Sequence, residues 1–288
     1  MQLIMNIGGP RRCRNVDAAT GRATAAAGPA SGPASGPAAG TGRAGRGARD
    51  DNPLMTTPTP ERQPASPTTP ATEFRRLLRA QKVWDVELPE FDPAEAPPAP
   101  VDLFHGWFAQ AVAAGQPEPH TMGLATVDEA GDPDVRTVML HDVDEAGWHF
   151  ASHATSVKGQ QLAAHPYGAL HFYWPAQGRQ VRVRGPVRTA SHAEALADLH
   201  ARSAGALAAA LVGRQSEVLT APEELARASA AAWERAAREP TADAPSWTLY
   251  ALAPHEVEFF QGDARRRHVR LRYRAAENGG WARELMWP

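Results

Sequence analysis

Nine short runs of residues dictate what this chain can fold into. They are TMGLATVD from Thr121, DVRTVMLHDV from Asp134, GWHFAS from Gly147, GALHFYWP from Gly168, RQVRVRGPVRTA from Arg179, WTLYALAP from Trp247, HEVEFFQG from His255, HVRLRYRA from His268 and GWARELMW from Gly280. Each is rich in β-branched and aromatic residues or alternates apolar with polar ones, the pattern of a strand with one buried face. DEAGDP at 128–133 and DEAG at 144–147 are turn signals, and strands joined by tight turns pair antiparallel. Three helical segments, HAEALADLHARS, ALAAALVGRQS and PEELARASAAAWERAAR, separate the fifth run from the sixth. Ahead of the first run, VDLFHGWFAQAVAAG places Leu103, Phe104, Trp107, Phe108, Ala111 and Val112 at helical spacing. Asp102 stands at its expected N-cap and Gly115 at its expected C-terminal glycine. The pattern predicts a mainly β (α+β) fold over residues 98–288: an antiparallel barrel with helices packed outside.

The first 54 residues are a different material. GPASGPASGPAAGT from Gly28 repeats alanine, glycine, proline and serine without apolar periodicity. Such a segment buries too little surface to offset its ordering entropy and reads as a disordered tail. MTTPTPERQ, from Met55, reads as a fresh start of the natural protein. Residues 55–97 hold one helical stretch, EFRRLLRAQKVW, and a Pro-rich linker, LPEFDPAEAPPAP. A net charge of −2 and a pI near 6.6 argue against a nucleic-acid partner. With Cys13 the only cysteine, an internal disulfide or a cysteine metal site is excluded, and no metal is expected. No apolar run approaches the roughly 20 residues of a membrane span, and no signal peptide is evident. A cytoplasmic protein is expected.

Four constellations draw attention. Arg136 lies among aliphatic residues in DVRTVMLHDV, where the local reading is an exposed arginine. In SVKGQQL, Ser156 caps a helix with Lys158 in its first turn; a cation there opposes the helix dipole unless an anion is present. Lys158 is one of only two lysines, with Lys82. In GRQVRVRG, Gln180, Arg182 and Arg184 share a strand face that is either solvated or functional. In RRRHVRLRYR, Arg266, His268, Arg270 and Arg272 share a strand face. They meet an anion, or they form a charged surface with acids such as Glu256 and Glu258.

Taken in order, TMGLATVDEAGDPDVRTVMLHDVDEAGWHFASHATSVKGQQLAAHP, ALHFYWPAQGRQVRVRGPV, GRQS and VEFFQGDARRRHVR resemble the pyridoxamine 5'-phosphate oxidase family from about Phe104 to Pro288. The resemblance implies an FMN-binding split β-barrel and a homodimer holding FMN between subunits. It implies flavin contacts from Arg136, His141, Ser152, Ser156, Lys158, Gln180, Gln215, Ser216, Phe260 and Arg270. It assigns Arg266 and His268 to catalysis over the substrate, and Arg202 to the substrate phosphate together with the positions of His141 and Asp198. Departures accompany it: His141 replaces a lysine, Ala151-Ser152 a Tyr-Thr pair, Val157 an arginine and Phe260 a tryptophan. Asp198 replaces a tyrosine, Ala206 a serine and Arg267 a leucine. The phosphate clamp is therefore thinned. The implied reaction removes a hydride from C4' of pyridoxamine or pyridoxine 5'-phosphate to flavin N5. Dioxygen then reoxidises the flavin and yields hydrogen peroxide. Two other readings stand beside it: an FMN or deazaflavin oxidoreductase on another, phenazine-type substrate, and a non-catalytic flavin or pyridoxal-phosphate binder.

Overall fold

The computed structural model describes residues 69–277 and 279–288. The tail and the Met55 start therefore lie outside the described residues. Two units are distinguished. In the first, α1 (Pro70–Ala80) is capped by Thr69 and buries none of its residues. The second, from Lys82 onward, holds everything below.

Ten strands follow in chain order: β1 (Thr121–Val127), β2 (Pro133–Met139), β3 (Asp142–Asp144), β4 (Gly147–His153), β5 (Tyr167–Trp174), β6 (Arg179–Thr189), β7 (Trp247–Leu252), β8 (Glu256–Gln261), β9 (Val269–Ala275) and β10 (Trp281–Leu285). Five helices join them: α2 (Pro100–Ala113), α3 (Val157–Ala164), α4 (His192–His200), α5 (Ala204–Val212) and α6 (Pro222–Arg238). Every strand pair is antiparallel, in the order β10-β9-β8-β6-β5-β1-β2, with β7 joining β6 to the β4–β3 hairpin. The expected mainly β, antiparallel split barrel is what forms.

The long strand β6 makes the barrel possible. Its residues 179–184 pair with β8, and 187–189 pair with β7 on the same edge. The switch falls at Gly185-Pro186. A Cβ on Gly185 would sit 2.0 Å from the Ala253 carbonyl oxygen, so only glycine permits this approach.

α2 covers the barrel. Phe104 meets Trp148 and Phe172 edge-on at 5.6 and 5.0 Å, and Trp107 meets Phe259 at 5.2 Å. Arg179 is buried against the Trp107 ring, held by Gln110 and Gln261. A second apolar cluster joins α4, α5 and α6 to Trp247. Residues 88–100, read as a linker, lie against the barrel: Ala96 is in the core and Tyr273 donates to the Pro97 carbonyl.

Three sequence expectations are corrected. Ala99 is the α2 N-cap, and Asp102 lies in the first turn instead, where its charge still suits the dipole. DVRTVMLHDV is two strands, not one: after Met139 the chain leaves β1 and its next strand pairs with β4. β9 begins at Val269, so Arg266 and His268 precede the strand and do not share its face. A tight turn causes this, closed by the Arg266 N–H on the Asp263 carbonyl, with Arg266 at φ 64°.

Candidate active site

The expected site residues fall into three groups. The first surrounds α3. Ser156 caps that helix as expected: its Oγ accepts from the Gly159 N–H and donates to the His153 carbonyl. Gly159 lets the helix start tightly against β4, since a Cβ there would lie 2.4 Å from the Ala154 carbonyl. Lys158 follows the cap and is buried. Its Nζ donates to Gln215 Oε1 at 2.8 Å and to Ser152 Oγ at 3.3 Å. Ser152 Oγ donates to the same Gln215 oxygen at 3.0 Å. Ser216, at φ 76°, accepts the Val157 N–H on its hydroxyl.

Arg136 extends this group. The exposed arginine read from its stretch is corrected: the side chain is 18% exposed. Its Nη1 donates to Thr126 Oγ1 and the Leu124 carbonyl, its Nη2 to Asp134 and Gln161. Burial first, then the charge of Arg136, lower the pKa of the Lys158 ammonium to about 8, with Asp134 opposing. Among the described residues no carboxylate bonds to Lys158. A buried ammonium beside an arginine and a helix N-terminus, met only by neutral oxygens, is a donor set suited to a phosphate dianion.

The second group lies on β6, β8 and β9. Gln180, Phe260 and Arg270 are direct partners across the three strands. Arg182 and Glu258 are paired one step along the same face. Glu258 is buried between two arginines, accepting from Arg182 at 2.8 Å and from Arg270 at 3.1 and 2.9 Å. Burial opposes its ionisation, but the hydrogen bond from Arg270 and the charges of Arg182 and Arg270 win, holding the carboxyl below its ordinary range. These side chains and Pro288 line a cavity of about 260 Å³. His268 packs beside it, 5.2 Å from Phe260 and edge-on to Trp84 at 5.3 Å. The Asp263 N–H donates to its Nδ1, which leaves the proton on Nε2 as a donor. Arg266 is exposed, and its guanidinium makes no hydrogen bond or ion pair among the described residues. The charged-surface alternative holds for Arg270 with Glu258 and for Arg272 with Glu284.

The third group is His141, Asp198 and Arg202. Ser191 and Glu194 form a capping box that starts α4 and sets Asp198 in its last turn. Arg202 donates to both Asp198 oxygens, at 3.0 and 2.9 Å, and His141 Nδ1 donates to Oδ2 at 3.1 Å. Burial keeps His141 below its ordinary value despite Asp198, so the imidazole is neutral near pH 7. Burial of Asp198 is outweighed by its bonds from His141 and Arg202, which hold it well below the carboxylate range. Ala206, in α5, offers no polar side-chain atom.

The profile of pyridoxamine 5'-phosphate oxidase matches residues 108–261, and that of the pyridoxine 5'-phosphate oxidase C-terminal dimerisation region matches 247–288. The chain belongs to the pyridoxamine 5'-phosphate oxidase family. A pyridoxine/pyridoxamine 5'-phosphate oxidase of Azotobacter vinelandii is 43% identical over 197 residues, covering 68% of this chain and 91% of that protein. A protein of the same name from Pseudomonas syringae pv. tomato is 41% identical with the same coverage. Among solved structures, PhzG from Burkholderia lata, in complex with tetrahydrophenazine-1-carboxylic acid, is similar at TM-score 0.65 and 28% identity, over 70% of this chain and 99% of that one. An FMN-binding protein from Nostoc punctiforme shares the fold at TM-score 0.52 and 22% identity, over 66% of this chain and 98% of that one. The chain is thus an oxidoreductase of this family with its split-barrel fold.

Sequence reasoning missed several members of these groups. Thr126, Asp134 and Gln161 hold Arg136; Gln161 follows Lys158 by three residues, the same-face spacing of a helix, which was the available signal. Trp84 braces His268 from outside any helix: the helical stretch read through to Trp84 stops short, because α1 ends at Ala80.

Proposed function

We propose that the chain is an FMN-dependent oxidase that converts pyridoxamine and pyridoxine, in the first instance their 5'-phosphates, to the 4'-aldehyde with dioxygen, releasing hydrogen peroxide and, from the amine, ammonia once water hydrolyses the imine. The observation that carries the flavin assignment is the buried Lys158 ammonium, bonded only to Gln215 and Ser152 among the described residues. Lys158, Arg136, Ser152 and the α3 N-terminus would hold the FMN phosphate; Gln180, Phe260 and Arg270 would meet its ring system. When bound, FMN supplies a two-electron acceptor that is reoxidised by dioxygen.

The chain's own residues then position and select. His268, fixed by Asp263 and Trp84, presents Nε2–H to the substrate. Arg266 adds an exposed cation at the same turn. Their task is to hold the reacting carbon in line, which alone supplies much of the rate. Glu258 keeps Arg270 in place through two hydrogen bonds.

A homodimer is part of the proposal. Five strand steps separate β2, which carries Arg136, from β9, which carries Arg270, about 24 Å along the sheet at ~4.8 Å per step. A second copy would bring one chain's Lys158 group to the other's Arg270 group, and the match to a dimerisation region supports this. Identity of 43% to a vitamer oxidase, against 28% to the phenazine protein, favours vitamers over a phenazine-type substrate. The test is aerobic turnover of pyridoxamine 5'-phosphate and of pyridoxamine by FMN-loaded protein. Peroxide and aldehyde in equal amounts support the proposal; their absence rejects it.

A further inference from the structure

The cluster of His141, Asp198 and Arg202 is built differently from a phosphate clamp. Arg202 is the cation that the resemblance assigns to the substrate phosphate, yet both of its inner N–H groups already serve Asp198. The pair is partly shielded, with side chains 28% and 20% exposed. His141, the third member, spends its Nδ1–H on the same carboxylate. The cluster as a whole is therefore close to neutral. Among the described residues no further lysine or arginine bonds to Asp198. A phosphate dianion arriving here must break a bidentate ion pair or lie beside a carboxylate that repels it. A hydroxymethyl group, both donor and acceptor, meets no such opposition.

Resting on the vitamer-oxidase reading, we propose that Asp198 sets the substrate class at this end of the site: the chain takes the unphosphorylated 5'-hydroxymethyl vitamers at least as well as their 5'-phosphates. Arg202 is then a partner of Asp198 in positioning a neutral group, rather than an anion receptor. Neutralising Asp198 frees the Arg202 guanidinium and restores selection for phosphate.

The experiment measures kcat/KM of the full-length, FMN-loaded protein for pyridoxamine and for pyridoxamine 5'-phosphate, by peroxide release. The expected ratio of phosphorylated to unphosphorylated substrate is near or below one. Asp198→Asn and Asp198→Ser should each raise it by about tenfold or more, through KM of the phosphate. A wild type that already prefers the phosphate by about a hundredfold, with neither substitution raising that preference, overturns the proposal. If neither substrate is oxidised although FMN is bound, the oxidase reading fails separately. Titration of pyridoxal and pyridoxal 5'-phosphate by flavin fluorescence then decides the role of Asp198 without turnover. Comparable affinities in the wild type and phosphate preference in Asp198→Asn support it; strong phosphate preference in both proteins overturns it.

Discussion

Replacing Lys158 by methionine should make the protein without flavin more stable and the flavin complex weaker. The two effects have one cause. Burial lowers the pKa of this ammonium from its ordinary 10.5 to about 8, and a tenfold change in proton affinity corresponds to about 1.4 kcal/mol. The folded state thus carries a charge penalty of at most about 3 kcal/mol at neutral pH. The sign follows from proton binding. Between pH 8 and 10.5 the unfolded chain keeps a proton that the folded chain has released, so stability rises with pH across that window. Methionine removes the penalty, but Gln215 and Ser152 lose their bonds to Nζ. A net gain of about 1–2 kcal/mol remains, or roughly 2–8 °C in Tm for a domain of this size. FMN should bind about 10- to 150-fold more weakly, for the loss of one charge-assisted hydrogen bond worth about 1.5–3 kcal/mol. Riboflavin, which lacks the phosphate, should bind both proteins alike. Differential scanning calorimetry and fluorescence titration measure these quantities. A Lys158→Met protein with a lower Tm and an unchanged FMN affinity would refute the reasoning.

Glu258→Gln should lower stability by about 1–3 kcal/mol at pH 7, because the Arg182 and Arg270 pairs lose their carboxylate. Its folded pKa is depressed, so that difference should vanish as pH falls below the ordinary carboxylate range, as denaturation at stepped pH would register. Trp84→Ala should cut kcat/KM by up to about tenfold, by removing the edge contact on His268, while FMN affinity holds in titration. Gly185→Ala should cost about 2 kcal/mol or more, because the backbone of Ala253 cannot give way at 2.0 Å; urea unfolding reads this directly.

Local patterns in the sequence carried the fold well where one side-chain period ruled. β1, β5 and β6 alternate in burial, and the residues that alternate are the ones that read as strands. Ser156 was legible as a cap because its chemistry is local. The break between β2 and β3 was not, because it depends on which neighbour the chain leaves, and Leu140 and His141 continue the alternation regardless. Arg266 and His268 looked like strand residues for the same reason; the turn that removes them is set by Asp263, three and five positions earlier. The charge state of the third group was hidden as well. Asp198 could be seen to replace a tyrosine, and Arg202 four residues on was a local signal for their ion pair, but the capture of His141 depends on α4 meeting the loop after β2, 57 residues apart. Trp84 reaches His268 across an even longer separation and from an irregular segment.

The most direct test of the account is to mix the FMN-loaded protein anaerobically with pyridoxamine 5'-phosphate or pyridoxamine, and then admit oxygen. The account predicts that the flavin absorbance bleaches, that it returns on oxygenation, and that one hydrogen peroxide forms for each aldehyde. A flavin that stays oxidised with both vitamers, in protein shown by titration to hold FMN, would contradict it.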